Sequence, residues 1–156
     1  MNVEKYYKKM VGITILAVCC SLFWQIWTYN IASYLLDSHP EVSDGYETFR
    51  DAIICGYPIF SGILVIILAI FLYNQLRSLK NGILFCRSCE RSVVAWAMIW
   101  PFYDICATSV SHMHRQASFH VFAVEGSAIG IPIIVFTFAL LYHIARKVAE
   151  ENQLTI

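Results

Sequence analysis

Charge is what this chain has least of. Lysine, arginine, aspartate and glutamate make up 14% of its 156 residues, against about 25% in soluble globular domains. A water-facing domain of this length needs more polar surface, so the composition points to an integral membrane protein. No Gly-rich phosphate loop and no Ser, His and Asp arrangement stands out, so nothing indicates nucleotide binding, nucleophilic catalysis or direct nucleic-acid contact. Linkers, repeats and low-complexity segments are also missing, which leaves one domain spanning 1–156. The six cysteines do not form a disulfide scaffold. Cys19, Cys20, Cys55 and Cys106 lie inside apolar runs, where a free cysteine behaves as a small hydrophobe.

What the chain has instead is long uncharged stretches. One lies between Lys9 and Asp37, one between Asp51 and Arg77, and one between Glu125 and Arg146; the stretch after Arg91 carries a single charge, Asp104. Crossing a bilayer core takes about 20 helical residues, and backbone groups in lipid must bond within their own segment. The reading is therefore all-α: four transmembrane helices over roughly 10–35, 53–76, 92–111 and 126–146. Short connections favour an antiparallel bundle. Lys5, Lys8 and Lys9 before an apolar run resemble a signal peptide, but the run is too long and no small-residue cleavage site follows it. It reads as a retained first helix.

Orientation follows from the placement of basic residues. The N-terminus holds Lys5, Lys8 and Lys9, the second loop Arg77, Lys80, Arg87 and Arg91, and the tail Arg146 and Lys147, which is nine of the eleven basic residues. The first loop, "DSHPEVSDGYETFRD", carries five acids and one base, Arg50. Both termini and the second loop are therefore expected to face the cytoplasm.

That orientation bears on Cys86 and Cys89 in "LFCRSCERS". A Cys-x-x-Cys pair serves a membrane thiol oxidoreductase when a shuttle pair on the oxidising side feeds it, and neither outer loop contains a cysteine. A zinc site needs two further ligands, and His143 is the sole candidate on that side. The expected state is two reduced thiols in a basic loop on the reducing side, with the arginines carrying more meaning than the thiols.

Two other polar groups invite a functional reading. His112, His114 and His120 in "SHMHRQASFH" suit a metal or proton sensor; the alternative is interfacial side chains facing water. Asp104 lies about 20 Å along its helix from Arg91 at 1.5 Å per residue, toward the outer third. An intramembrane carboxylate marks a functional or a pairing site. Gln25 and Asn30 on the first helix are its expected polar partners across the bundle, with Arg115 or a histidine as alternatives. Gly126 and Gly130 form a G-x-x-x-G pair that would let another helix pack closely. Pro58, Pro101 and Pro132 sit within the helices, where a missing donor produces kinks. Tyr6, Tyr7, Trp96 and Tyr142 suit interfacial belts. "RKVAEENQL" extends the last helix by about two turns.

From Tyr57 onward, "YPIFSGILVIILAIFLYNQLRSLKNGILFCRSCERSVVAWAMIW" with the terminal "EENQLTI" resembles the YoaS-type family of uncharacterised four-helix bacterial membrane proteins. Leu79, Gly82, Phe85, Leu154, Thr155 and Ile156 carry the likeness. Relatives place a Ser and a polar turn where this chain has Cys86-Arg87-Ser88-Cys89-Glu90, and an Asp where it has Gln153. The resemblance implies no catalytic residue and no cofactor. It implies a cytoplasmic partner such as a helix-turn-helix regulator held at the membrane.

The expected role is accordingly non-enzymatic: an interaction or regulatory protein, possible as a homo-oligomer in the bilayer. Arg77, Lys80, Arg87, Arg91, Arg146 and Lys147 would form its partner-facing surface. A thiol oxidoreductase using Cys86 and Cys89, or a metal- or proton-responsive sensor or small transporter using the outer histidines and Asp104, are the alternatives.

Overall fold

The computed structural model describes residues 3–37, 44–115 and 125–154. They form four helices: α1 Val3–Asp37, α2 Asp44–Lys80, α3 Arg87–Arg115 and α4 Ser127–Leu154. All four are long and apolar enough to cross a membrane. Each is longer than its uncharged run, because polar first and last turns continue the hydrogen-bonding ladder beyond the apolar stretch. One long extension is at the start of α2, where the acid-rich segment before Asp51 is helical from Asp44. Arg50 thus belongs to a helix and not to a loop. Its guanidinium is buried, bonded to Asp51 at 2.8 Å and near Glu47 at 3.7 Å. At the other end of the chain α4 runs two turns past Arg146, as "RKVAEENQL" suggests.

Successive helices run antiparallel, which the cross-helix contacts establish. On α2 and α3, Tyr57 stacks on Tyr103 and, further along α2, Phe60 on the earlier Phe102. On α3 and α4, Glu90 meets His143 while the later Asp104 meets the earlier Ser127. The helices pack in chain order, α1 on α2, α2 on α3 and α3 on α4. The bundle is therefore open, with α2 and α3 at its centre and α1 and α4 on its flanks.

The core follows that order. Ile53, Ile54, Tyr57 and Leu64 of α2 meet Tyr103, Cys106 and Val110 of α3, with Ala32 of α1 closing one side. Those spacings of three and four residues put each set on one helix face. Small polar side chains share the interface: Thr28, Ser61, Ser92, Thr108 and Ser109 are all buried. Thr28 and Ser92 return their hydroxyls to carbonyls on their own helices, Gln25 and Ser88. Small residues let helix backbones approach closely. The closest approaches occur at Gly56, where an added Cβ would stand 3.1 Å from Cys106 Sγ, and at Gly62, 3.3 Å from Gln25 Nε2. Gly126 and Gly130 have open space instead, so their G-x-x-x-G spacing supports no helix contact within the chain.

Large apolar side chains face outward on every helix, among them Ile15, Leu16 and Phe23 of α1, Ile66 of α2, Met98 of α3 and Ile133 of α4. An apolar perimeter on this scale is far more than a water-soluble monomer leaves uncovered.

Candidate functional site

The most elaborated part of the molecule is the end where α2 turns into α3 and α4 extends beyond the apolar run. Its starting point is a helix stop. Ile83 N–H bonds to Ser78 O at 2.8 Å and Gly82 N–H to Leu79 O at 3.0 Å, the paired bonds of a Schellman cap. Gly82 has φ +76°, a conformation that glycine adopts without a Cβ penalty.

The six residues that follow α2 are fastened from two sides. Gln75 of α2 donates from Nε2 to Leu84 O at 3.1 Å. Tyr142 of α4 accepts the Cys86 N–H at 2.9 Å and donates its hydroxyl to Gln75 Oε1 at 3.3 Å. The Phe85 ring meets Tyr142 edge-on with centroids 5.2 Å apart. Tyr142 is thus the keystone of this turn rather than a residue of an interfacial belt alone.

Cys86 then starts α3. Its Sγ accepts the Cys89 N–H at 3.2 Å, so the sulfur takes the place of the side-chain oxygen of an ordinary N-cap. The two Cα atoms lie 5.4 Å apart, and the cysteines are disulfide-bonded. This corrects the expectation of two separate thiols in a loop. A separation of three residues across the first helical turn brings the Cα atoms into disulfide range, and the extended start of α3 supplies that turn. Cys89 is fully buried, while Cys86 is partly exposed.

One residue further, the Glu90 carboxylate joins α3 to α4. Its Oε1 lies 2.8 Å from His143 Nδ1 and its Oε2 accepts from Arg146 Nε at 3.1 Å. Arg146 also bonds Glu150 one turn on. His143 therefore has a carboxylate partner in place of a role beside the cysteines. Arg146 is 8% exposed and engaged on both sides, so it is an internal anchor and not part of a docking surface. Arg77, Lys80, Arg87, Arg91 and Lys147 are exposed, and among the described residues none of them forms an ion pair.

The opposite end is less convergent. Asp104 is buried, and both its oxygens lie 3.0 Å from the Ser127 hydroxyl at the start of α4. Its partner is thus neither Gln25 nor Asn30. Gln25 donates to Pro58 O at 3.0 Å across α1 and α2, and Asn30 is exposed, using only its backbone carbonyl to receive Ser33. His112 and His114 both lie on α3, where a two-residue step turns them to different faces. His114 meets Tyr34 edge-on at 6.0 Å. His120 lies outside the described residues. Among those described, no three His, Cys, Asp or Glu side chains gather as metal ligands. A cavity of about 640 Å³ opens nearby, lined by Trp24, Trp27, Tyr57, Tyr103, Thr108 and His114 among others.

Sequence reasoning singled out the cysteines, Arg146 and Asp104 but missed Tyr142 as the partner of Cys86, Glu90 as that of Arg146, Ser127 as that of Asp104, and Gln75 as a tie of the turn. On α4 a signal was present. Tyr142, Arg146 and Glu150 recur every fourth residue, with His143 beside them, a polar stripe on one helix face.

No family model, curated protein or solved structure matches this chain.

Proposed function

We propose that the chain is a multi-pass protein of the bacterial inner membrane, with both termini and the α2–α3 turn in the cytoplasm. In this reading it holds a cytoplasmic protein at the membrane instead of converting a substrate. The carrying observation is the built end of the molecule. Five exposed cations, Arg77, Lys80, Arg87, Arg91 and Lys147, surround a turn fixed by Gln75, Tyr142 and Glu90. A rigid cationic surface selects an acidic partner face and speeds its encounter. The basic bias of this end and the outward apolar side chains along the helices support the orientation and the lipid environment. The likeness of the α2–α3 segment and tail to the YoaS-type family supports a regulator of the helix-turn-helix class as the partner.

Topology is tested first, with reporter fusions at both termini and after residue 43. Activity of a cytoplasmic reporter at the termini and its loss at the outer loop agrees with the reading; the reverse pattern ends it. Docking is tested by placing a photocrosslinking residue at Ser88 in cells. Adducts with one cytoplasmic protein are expected to disappear when Arg77, Lys80, Arg87, Arg91 and Lys147 become glutamine. Arg146 must be left intact, because removing it would disturb α4 rather than the surface. Equal adducts in the neutralised variant would rule the docking surface out.

A further inference from the structure

Cys86 and Cys89 differ in every respect that matters for sulfur chemistry. Cys86 stands at the end of a helix, partly exposed, with its Sγ receiving the Cys89 amide. That amide belongs to the group of unpaired N–H donors at a helix start, and the same helix end favours negative charge. Helix starts in general favour the thiolate, the species that attacks disulfides. Cys89 is fully buried one turn inside the helix and is reachable only by its neighbour. One sulfur is placed to exchange with solution and the other to resolve the product.

The bonds that fasten the turn do not depend on the disulfide. Cys86 is held through its backbone N–H by Tyr142, and Leu84 through its carbonyl by Gln75. Neither bond uses a sulfur, so opening the disulfide leaves the turn fastened. The exposed cations Arg87 and Arg91 flank the pair in sequence and suit an anionic thiol. The remaining cysteines offer no such arrangement. Cys19, Cys20 and Cys55 face outward along the apolar stretches, and Cys106 is buried against the Gly56 backbone.

We propose that Cys86 and Cys89 form a reversible thiol–disulfide exchange site for an anionic low-molecular-weight monothiol of the glutathione class. In the oxidising direction the Cys86 thiolate attacks one sulfur of the oxidised monothiol. The Cys86 mixed disulfide forms and one monothiol thiolate leaves. Cys89 then attacks Cys86 Sγ, the internal disulfide closes, and the second monothiol leaves carrying the Cys89 proton. Two electrons pass from the protein to the oxidised monothiol. Reduction runs through the same intermediate, with the incoming thiolate attacking Cys86 Sγ because Cys89 is covered. The site changes state stoichiometrically and requires no turnover, and it does not rest on the docking reading.

The test uses the full chain in lipid nanodiscs, with Cys19, Cys20, Cys55 and Cys106 replaced by alanine. The protein is equilibrated against graded ratios of reduced to oxidised glutathione, and its thiols are counted by alkylation and intact mass. Expected is a single two-thiol transition, mapped by peptide analysis to Cys86 and Cys89 and reached from either direction. In oxidised glutathione the Cys89→Ser variant should accumulate one glutathione at Cys86, and the Cys86→Ser variant should lose that adduct entirely. Three results would overturn the proposal: a pair that does not convert across the ratios, no adduct on Cys89→Ser, or equal adducts on both variants. If a serine variant fails to fold, the wild-type titration still decides, because a pair that stays fixed in one state is not an exchange site.

Discussion

Glu90 and Arg146, 56 residues apart in the sequence, meet at 3.1 Å and tie the start of α3 to the end of α4. Arg146 is nearly buried and Glu90 largely so. A hydrogen bond between two charged groups is stronger than one between neutral partners. Glu90→Gln or Arg146→Gln should each lower the unfolding midpoint in a mild-detergent and SDS titration. The double variant should lose less than the two single losses combined, since the bond can be removed only once. Strict additivity would show that the pair is not coupled.

Asp104 and Ser127 give a second test at the opposite end. The hydroxyl is the only group that bonds this buried carboxylate among the described residues. Ser127→Ala should cost about 1–2 kcal/mol, more than the roughly 0.6 kcal/mol of an average interhelical bond in membranes, because it strands a buried acceptor. Asp104→Asn should be milder, as an amide oxygen still accepts the hydroxyl. If Asp104→Asn instead proved as damaging as Ser127→Ala, the charge itself would be needed, and the aspartate would have a role beyond this bond.

The glycines separate packing from helix propensity. Gly56→Ala brings a methyl against Cys106 Sγ at 3.1 Å, so α2 and α3 must shift and stability should fall. Gly130→Ala meets nothing and lies within α4, where alanine is favoured by up to about 1 kcal/mol. A gain for Gly130→Ala and a loss for Gly56→Ala is the expected pattern in the same unfolding assay. Destabilisation at Gly130 in the membrane alone would instead reveal a contact with a second chain.

Tyr142→Phe keeps the ring against Phe85 but removes the hydroxyl that joins Cys86 N–H to Gln75. Amide exchange at Cys86 should accelerate by roughly fivefold, corresponding to about 1 kcal/mol for one neutral hydrogen bond. Gly82→Ala, strained at φ +76°, should cost about 1 kcal/mol and loosen the same turn from its other side. Unchanged exchange at residues 83–86 in both variants would show that the turn is held by other contacts.

The sequence by itself determined the four helices. An uncharged stretch of some 20 residues leaves its backbone one way to satisfy its hydrogen bonds in lipid, and that requirement is local. It also marked the two-turn extension past Arg146. Tertiary structure alone decided the pairings: Asp104 to Ser127 rather than to Gln25 or Asn30, Arg146 inward to Glu90 rather than outward, and Cys86 to Cys89 as the cap of α3 rather than as free thiols in a loop. The physical reason lies in the apolar runs themselves. Helices that are hydrophobic on nearly every side carry little periodic signal to fix their rotation, so the facing of each polar side chain is set by close packing at Gly56, Gly62 and the α2–α3 aromatic stacks.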